Sequence, residues 1–142
     1  MMAPVLVDAG PLFAIFSERD QHHQQCVQQL LELPKPLLTC WPVLTEAMWL
    51  MQHQPRGVNG LLRSFGSGGW LRLLEMGEGA LPWIAGFLQR YHKLGPQLAD
   101  AALVYLAERE GIETVFTLDR RDFCVYRLSR NRSFHLLPAP SR

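Results

Sequence analysis

Short, solid apolar runs alternate along this chain with longer segments whose apolar positions recur at helical spacing. The first run, residues 4–7, reads as a buried strand. Asp8 ends it, Ala9-Gly10-Pro11 breaks it, and Pro11 suits the first turn of a helix continuing over residues 12–16. After a polar loop, residues 22–33 place Cys26, Val27, Leu30 and Leu31 on one helical face before Pro34 and Pro36 stop the helix. A second strand is expected at residues 37–41, then a helix over 43–51, opened by Pro42 and broken at 54–57. Residues 58–65 read as a helix, 70–74 as a candidate edge strand, and 81–92 as another helix. Leu94-Gly95-Pro96 turns into a helix over 97–110 that is apolar on nearly every face, with Gly111 as a left-handed cap. The β-branched and aromatic run at 114–118 predicts a buried fourth strand, followed by a short helix at 123–128 and a last strand at 133–137. Strands alternating with helices predict a three-layer α/β/α fold with a mainly parallel central sheet, in one domain spanning residues 1–142.

Four carboxylates sit where packing alone does not explain them. Asp8 and Asp119 end buried strands, Glu46 lies among Val43, Leu44, Ala47 and Met48, and Asp100 lies inside the apolar helix 97–110. A lone buried carboxylate costs several kcal/mol, or takes up a proton, unless a cation or hydrogen-bond donors compensate it. By contrast Glu18, Asp20, Glu32, Glu108, Glu110 and Glu113 fall in polar loops or at helix ends and read as solvated surface. In open α/β sheets the site lies at the carboxyl ends of the strands, so the four acids are expected to face one cleft. Their mutual repulsion calls for a divalent cation, and all-oxygen ligation selects Mg²⁺ or Mn²⁺ over Zn²⁺.

Composition narrows the picture only a little. The formal net charge of +1 does not announce a nucleic-acid partner, so any basic patch must be local. Arg120, Arg121, Arg127, Arg130 and Arg132 supply one, close behind Asp119. Cys26, Cys40 and Cys124 lack metal-ligand spacing and suit a reducing compartment. The N-terminus lacks the pattern of a signal peptide, and no run is long enough to span a membrane, so a cytoplasmic protein is expected.

The segments VLVDAG, PVLTEAMWL, LADAALVYLAEREGI and TLDRRDF, in that order and spacing, closely resemble the PIN-domain nucleases, and among them the VapC-like toxins. The resemblance covers essentially the whole chain. It implies a metal-dependent endoribonuclease with Asp8, Glu46, Asp100 and Asp119 as catalytic residues and metal ligands, and it leaves Asp122 open as an outer or alternate ligand. A carboxylate-held Mg²⁺ or Mn²⁺ suits phosphodiester hydrolysis, because the cation acidifies a water and neutralises charge on the phosphoryl group. The resemblance further implies a toxin of a toxin–antitoxin pair acting on structured RNA of the tRNA or ribosomal class, with a cognate antitoxin and a homodimer as assemblies. Arg120, Arg121 and Arg127 are the expected RNA contacts, since arginine pairs phosphate oxygens bidentately. Phe13, Phe16, Trp49, Met51, Trp83 and Phe87 read first as core packing, and the resemblance offers a second use for them, in a groove for an antitoxin segment or a homodimer face.

Two positions depart from the family pattern: Gly10, where many relatives carry Ser or Asn, and Gln97, where many carry Asp. Both keep a non-catalytic PIN-like RNA-binding or scaffold protein as the alternative. Gly10 also removes the second aspartate that a haloacid-dehalogenase-type phosphatase requires. Lys93 is in the wrong context for a response-regulator receiver.

Overall fold

The computed structural model describes residues 3–140. Five short strands form one sheet in the order β3-β2-β1-β4-β5, and every pairing is parallel. The strands are β1 (Val5–Val7), β2 (Leu37–Thr39), β3 (Leu71–Leu73), β4 (Thr114–Phe116) and β5 (His135–Leu137). Successive strand side chains point to opposite faces, yet all three residues of β1 are buried. A sheet buried on both faces reads as solid apolar runs, and helices cover it as the outer layers of an α/β/α sandwich.

Seven α-helices fill the connections: α1 (Ala9–Phe16), α2 (His23–Glu32), α3 (Trp41–Leu50), α4 (Pro55–Arg63), α5 (Leu81–Arg90), α6 (Leu98–Glu110) and α7 (Arg120–Phe123). The long helix α6 buries Ala99, Ala101, Ala102, Leu103, Val104, Leu106 and Ala107, in keeping with its all-round apolar sequence. Small residues bring it close to its neighbours α3 and α5. Gly111 ends it in the left-handed conformation, at φ 68.

Three expectations need correction. Residues 54–57 do not merely break a helix: Pro55 opens α4, where its missing N–H costs nothing. The short helix expected at 123–128 lies earlier, at Arg120–Phe123, because the Asp119 side chain caps it by accepting from Asp122 N at 3.2 Å. On α2 only Cys26 is buried, and Leu31 is 75% exposed, so that helix lies shallowly on the surface.

Strand order reverses direction between β1 and β4. The chain leaves β1 toward β2 on one side, while β4 lies on the other. Such a switch point leaves a crevice at the strand carboxyl ends, the usual ligand position in open α/β sheets. Asp8 follows β1 at that crevice and Asp119 lies just beyond β4, three residues after Phe116.

Candidate active site

The crevice is built from two strand exits and two helices. Asp8 extends the β1–β4 ladder by one bond, its N–H donating to Phe116 O at 2.9 Å, and then caps α1 by accepting from Ala9 N at 2.8 Å. Its other carboxylate oxygen accepts from the Thr117 hydroxyl at 2.8 Å. The same hydroxyl oxygen accepts from Asp119 N at 3.0 Å, so fully buried Thr117 joins the two strand exits. Asp100 lies in the first turn of α6, and one of its oxygens accepts from the Tyr126 hydroxyl at 2.8 Å.

Asp100, Asp119 and Asp122 each offer a carboxylate oxygen, and these oxygens lie within 4.8 Å of one another. Asp122, open in the sequence as an outer or alternate ligand, thus stands in the compact group. Asp8 and Glu46 lie outside that triad but within its electrostatic field. Burial, and then the charges of Glu46 and Asp119, raise the Asp8 pKa to about 6. Burial and the charges of Asp8, Asp119 and Asp122 raise Asp100 to about 6 as well, against the lowering effect of the Tyr126 hydrogen bond. Glu46 is raised by burial and by Asp100 and Asp119.

Among the described residues, no salt bridge supplies the cluster with a counter-charge. The salt bridges among the described residues are Arg109–Glu110 and Arg132–Glu113, and neither involves these five acids. Five carboxylates in mutual repulsion, three with oxygens at ligand spacing and all with oxygen donors only, fit a hard divalent cation such as Mg²⁺ or Mn²⁺.

The flanking arginines differ from one another. Arg120 donates to the carbonyls of Leu136 and Pro138, at 3.3 and 2.8 Å, which ties α7 to the end of β5. Arg127 donates to the carbonyls of Cys124, Val125 and Tyr126. Arg121 is exposed at the start of α7. Gly10 lies on α1, where an added Cβ would rest against the Leu118 side chain at 3.4 Å. Gln97 stands exposed before α6 and makes no side-chain capping bond.

Beside Glu46 a groove of about 650 Å³ runs between α3 and the start of α6, lined by Trp41, Trp49, Leu50, Gln97 and Leu98 among others. Of the large apolar side chains singled out in the sequence, Met51 and Phe87 belong to the core, and Phe13, Phe16 and Trp83 are partly buried against it. Trp49 is 67% exposed, and Trp41 at 59% joins it. Trp41 reads in the sequence as the end of a strand; it is instead the first residue of α3, which turns its ring outward.

Thr117 and Tyr126 are the polar groups of the site that sequence reasoning missed. The only trace of Thr117 is a hydroxyl residue two positions before Asp119, and Tyr126 has no local signal, because its partner is 26 residues away.

No family model matches the chain. Over 137 residues, 94% of the chain and 100% of the relative, it is 26% identical to Ribonuclease VapC26 of Mycobacterium tuberculosis. Its fold matches the crystal structure of Mycobacterium tuberculosis VapC20, a sarcin-ricin-loop-cleaving toxin, with a TM-score of 0.74 and 18% identity over 82% of this chain and 90% of that one.

Proposed function

We propose that the chain, VapC-like in both sequence and fold, is a PIN-type, Mg²⁺- or Mn²⁺-dependent endoribonuclease and the toxin of a toxin–antitoxin pair. The observation that carries this reading is the group of uncompensated acids at the strand switch point, with Asp100, Asp119 and Asp122 oxygens within 4.8 Å. A bound divalent cation supplies charge neutralisation at a phosphoryl group and a more acidic water. Asp100, Asp119 and Asp122 would hold it, with Asp8 and Glu46 beside them. Asp8 is fixed by hydrogen bonds to both oxygens, so it contributes charge from an immobile position. Glu46 is only half-buried, and its raised pKa suits a carboxylate that orients the attacking water and takes up its proton.

RNA phosphates would meet Arg121 first, since it is exposed beside the cluster, with Arg127 behind it. Arg120 would add to their field while holding the end of β5. The substrate class is structured RNA, tRNA or ribosomal RNA, in keeping with the ribonuclease and toxin likenesses. The two exposed tryptophans of the α3–α6 groove supply an apolar face for a second copy of the chain, and sedimentation of the purified protein tests that homodimer. A cognate antitoxin is the further partner. No helix among the described residues is long and apolar enough to cross a membrane; a cytoplasmic location belongs to the toxin reading, whose RNA substrates lie there.

Gln97 favours a second reading, a non-catalytic RNA-binding protein, since it stands exposed one turn before Asp100 without adding charge. Incubating purified protein with a mixed RNA pool decides between them. Cleavage that needs Mg²⁺ or Mn²⁺ and stops with chelator supports the nuclease. RNA binding without cleavage under any divalent ion supports the second reading.

A further inference from the structure

Tyr126 is fully buried, yet its hydroxyl is not spent on the core. Its ring is packed among Phe87, Tyr91 and Phe123, each with its centroid 5.0 Å away. Such an aromatic box fixes the ring and therefore the position of the phenol oxygen. That oxygen lies 2.8 Å from Asp100 Oδ2, to which the hydroxyl donates. The Tyr126 backbone N–H donates to Asp122 O at 3.2 Å. Its side chain thus reaches one of the three acids whose carboxylate oxygens lie within 4.8 Å, while its main chain, bonded to the Asp122 backbone carbonyl, continues the turn that carries another.

We propose that Tyr126 is the positioning residue of the acidic cluster: its hydroxyl holds the Asp100 carboxylate in place and ties α6 to the segment that carries Asp119 and Asp122. This inference rests on the metal-dependent reading of the site. The hydrogen bond restrains rotation of the Asp100 carboxylate.

Tyr91 provides a matched comparison. Its ring belongs to the same aromatic box, and its hydroxyl is also engaged, accepting from Arg127 N at 3.1 Å, but it touches none of the acids. Tyr126→Phe and Tyr91→Phe therefore each remove one hydroxyl from one cluster, and only the first bears on Asp100. The experiment measures Mn²⁺ affinity by calorimetry, the metal-free melting temperature, and kcat and KM on RNA for both variants and the wild type.

Partners that orient metal ligands typically contribute on the order of 10–100-fold in metal affinity or activity, and Tyr126→Phe is expected to lose Mn²⁺ affinity and kcat in that range with KM little changed. Tyr91→Phe is expected to melt lower than the wild type while keeping its Mn²⁺ affinity. Equal loss of affinity in both variants would show that the hydroxyls serve only the packing of the box and would overturn the proposal, as would a Tyr126→Phe variant with wild-type affinity and kcat. Should Tyr126→Phe fail to fold, Asp100→Asn decides: an amide oxygen still accepts from Tyr126, so this variant keeps the fold and loses Mn²⁺. An Asp100→Asn variant with undiminished Mn²⁺ binding removes the group Tyr126 would position and overturns the proposal. A wild type that binds no Mn²⁺ defeats the nuclease reading itself, a result distinct from a wild type that binds it with no contribution from Tyr126.

Discussion

Asp8 is almost fully buried, at 7% exposure, and its two carboxylate hydrogen bonds do not offset the cost of burying its charge. Its pKa rises from 3.8 to about 6, so the folded state holds this proton more tightly than the unfolded chain does. Stability is then fully present below pH 4 and is lost as pH rises toward 6, the reverse of an ion-paired aspartate. At about 1.4 kcal/mol per pH unit, Asp8 alone should cost the metal-free fold roughly 3 kcal/mol at neutral pH, and Asp100 acts in the same direction. Urea unfolding in chelator should therefore show a less stable protein at pH 7.5 than at pH 5, and saturating Mn²⁺ should remove or invert that difference. A chelated protein equally stable at both pH values would mean that the acids are compensated in solution. Asp100→Asn, which deletes one repelling charge and keeps an acceptor for Tyr126, should melt higher than the wild type without metal and gain little on adding it.

Among the elements, the strands were the most legible in the sequence. A strand buried on both faces is a solid apolar run, and β1, β2 and β4 each read that way. Asp8, Glu46, Asp100 and Asp119 were legible for the complementary reason, since each interrupts or ends such a run. What stayed hidden is what periodicity cannot encode. A four-residue helix such as α7 has barely one turn, so only its cap at Asp119 marked it. Pro55 has one sequence signature for breaking a helix and for opening one. Tyr126 and Thr117 act across 26 and 109 residues, distances at which no local pattern survives. Gly111 was legible because a left-handed cap demands glycine, and it permits a test at this scale. An added Cβ there meets nothing within 4 Å, so only the backbone conformation resists it. Gly111→Ala should cost about 1–2 kcal/mol in chemical denaturation while leaving RNA cleavage unchanged at temperatures where the protein stays folded. A loss of activity in the folded variant would mean that the α6 terminus transmits strain to Asp100 at its other end.

For the whole molecule, a formal charge of +1 makes long-range attraction to RNA weak, so under the proposed ribonuclease reading RNA binding would rest on a few arginines near a strongly acidic centre. Those two fields oppose one another over a short distance, and they can be separated. Removing an acid should help RNA binding while stopping cleavage; removing an arginine should do the reverse for binding. Arg120 is a poor choice for this test, because its bonds to Leu136 and Pro138 also hold β5. Arg121 is exposed and better suited. Asp119→Asn should abolish cleavage and bind RNA as tightly as the wild type or tighter. Arg121→Ala should bind more weakly, with a salt dependence of affinity flatter by roughly 0.7–0.9 in log–log slope for one lost phosphate contact. RNA affinity measured over a salt series, with Ca²⁺ in place of Mg²⁺ to slow cleavage, reads both effects in one experiment. An Asp119→Asn variant that still cuts at the wild-type rate would leave Asp100 and Asp122 as the working pair. An unchanged slope in Arg121→Ala would move the RNA path to the exposed arginines of α4, Arg56 and Arg63, where no acid of the cluster weakens their hold on phosphate.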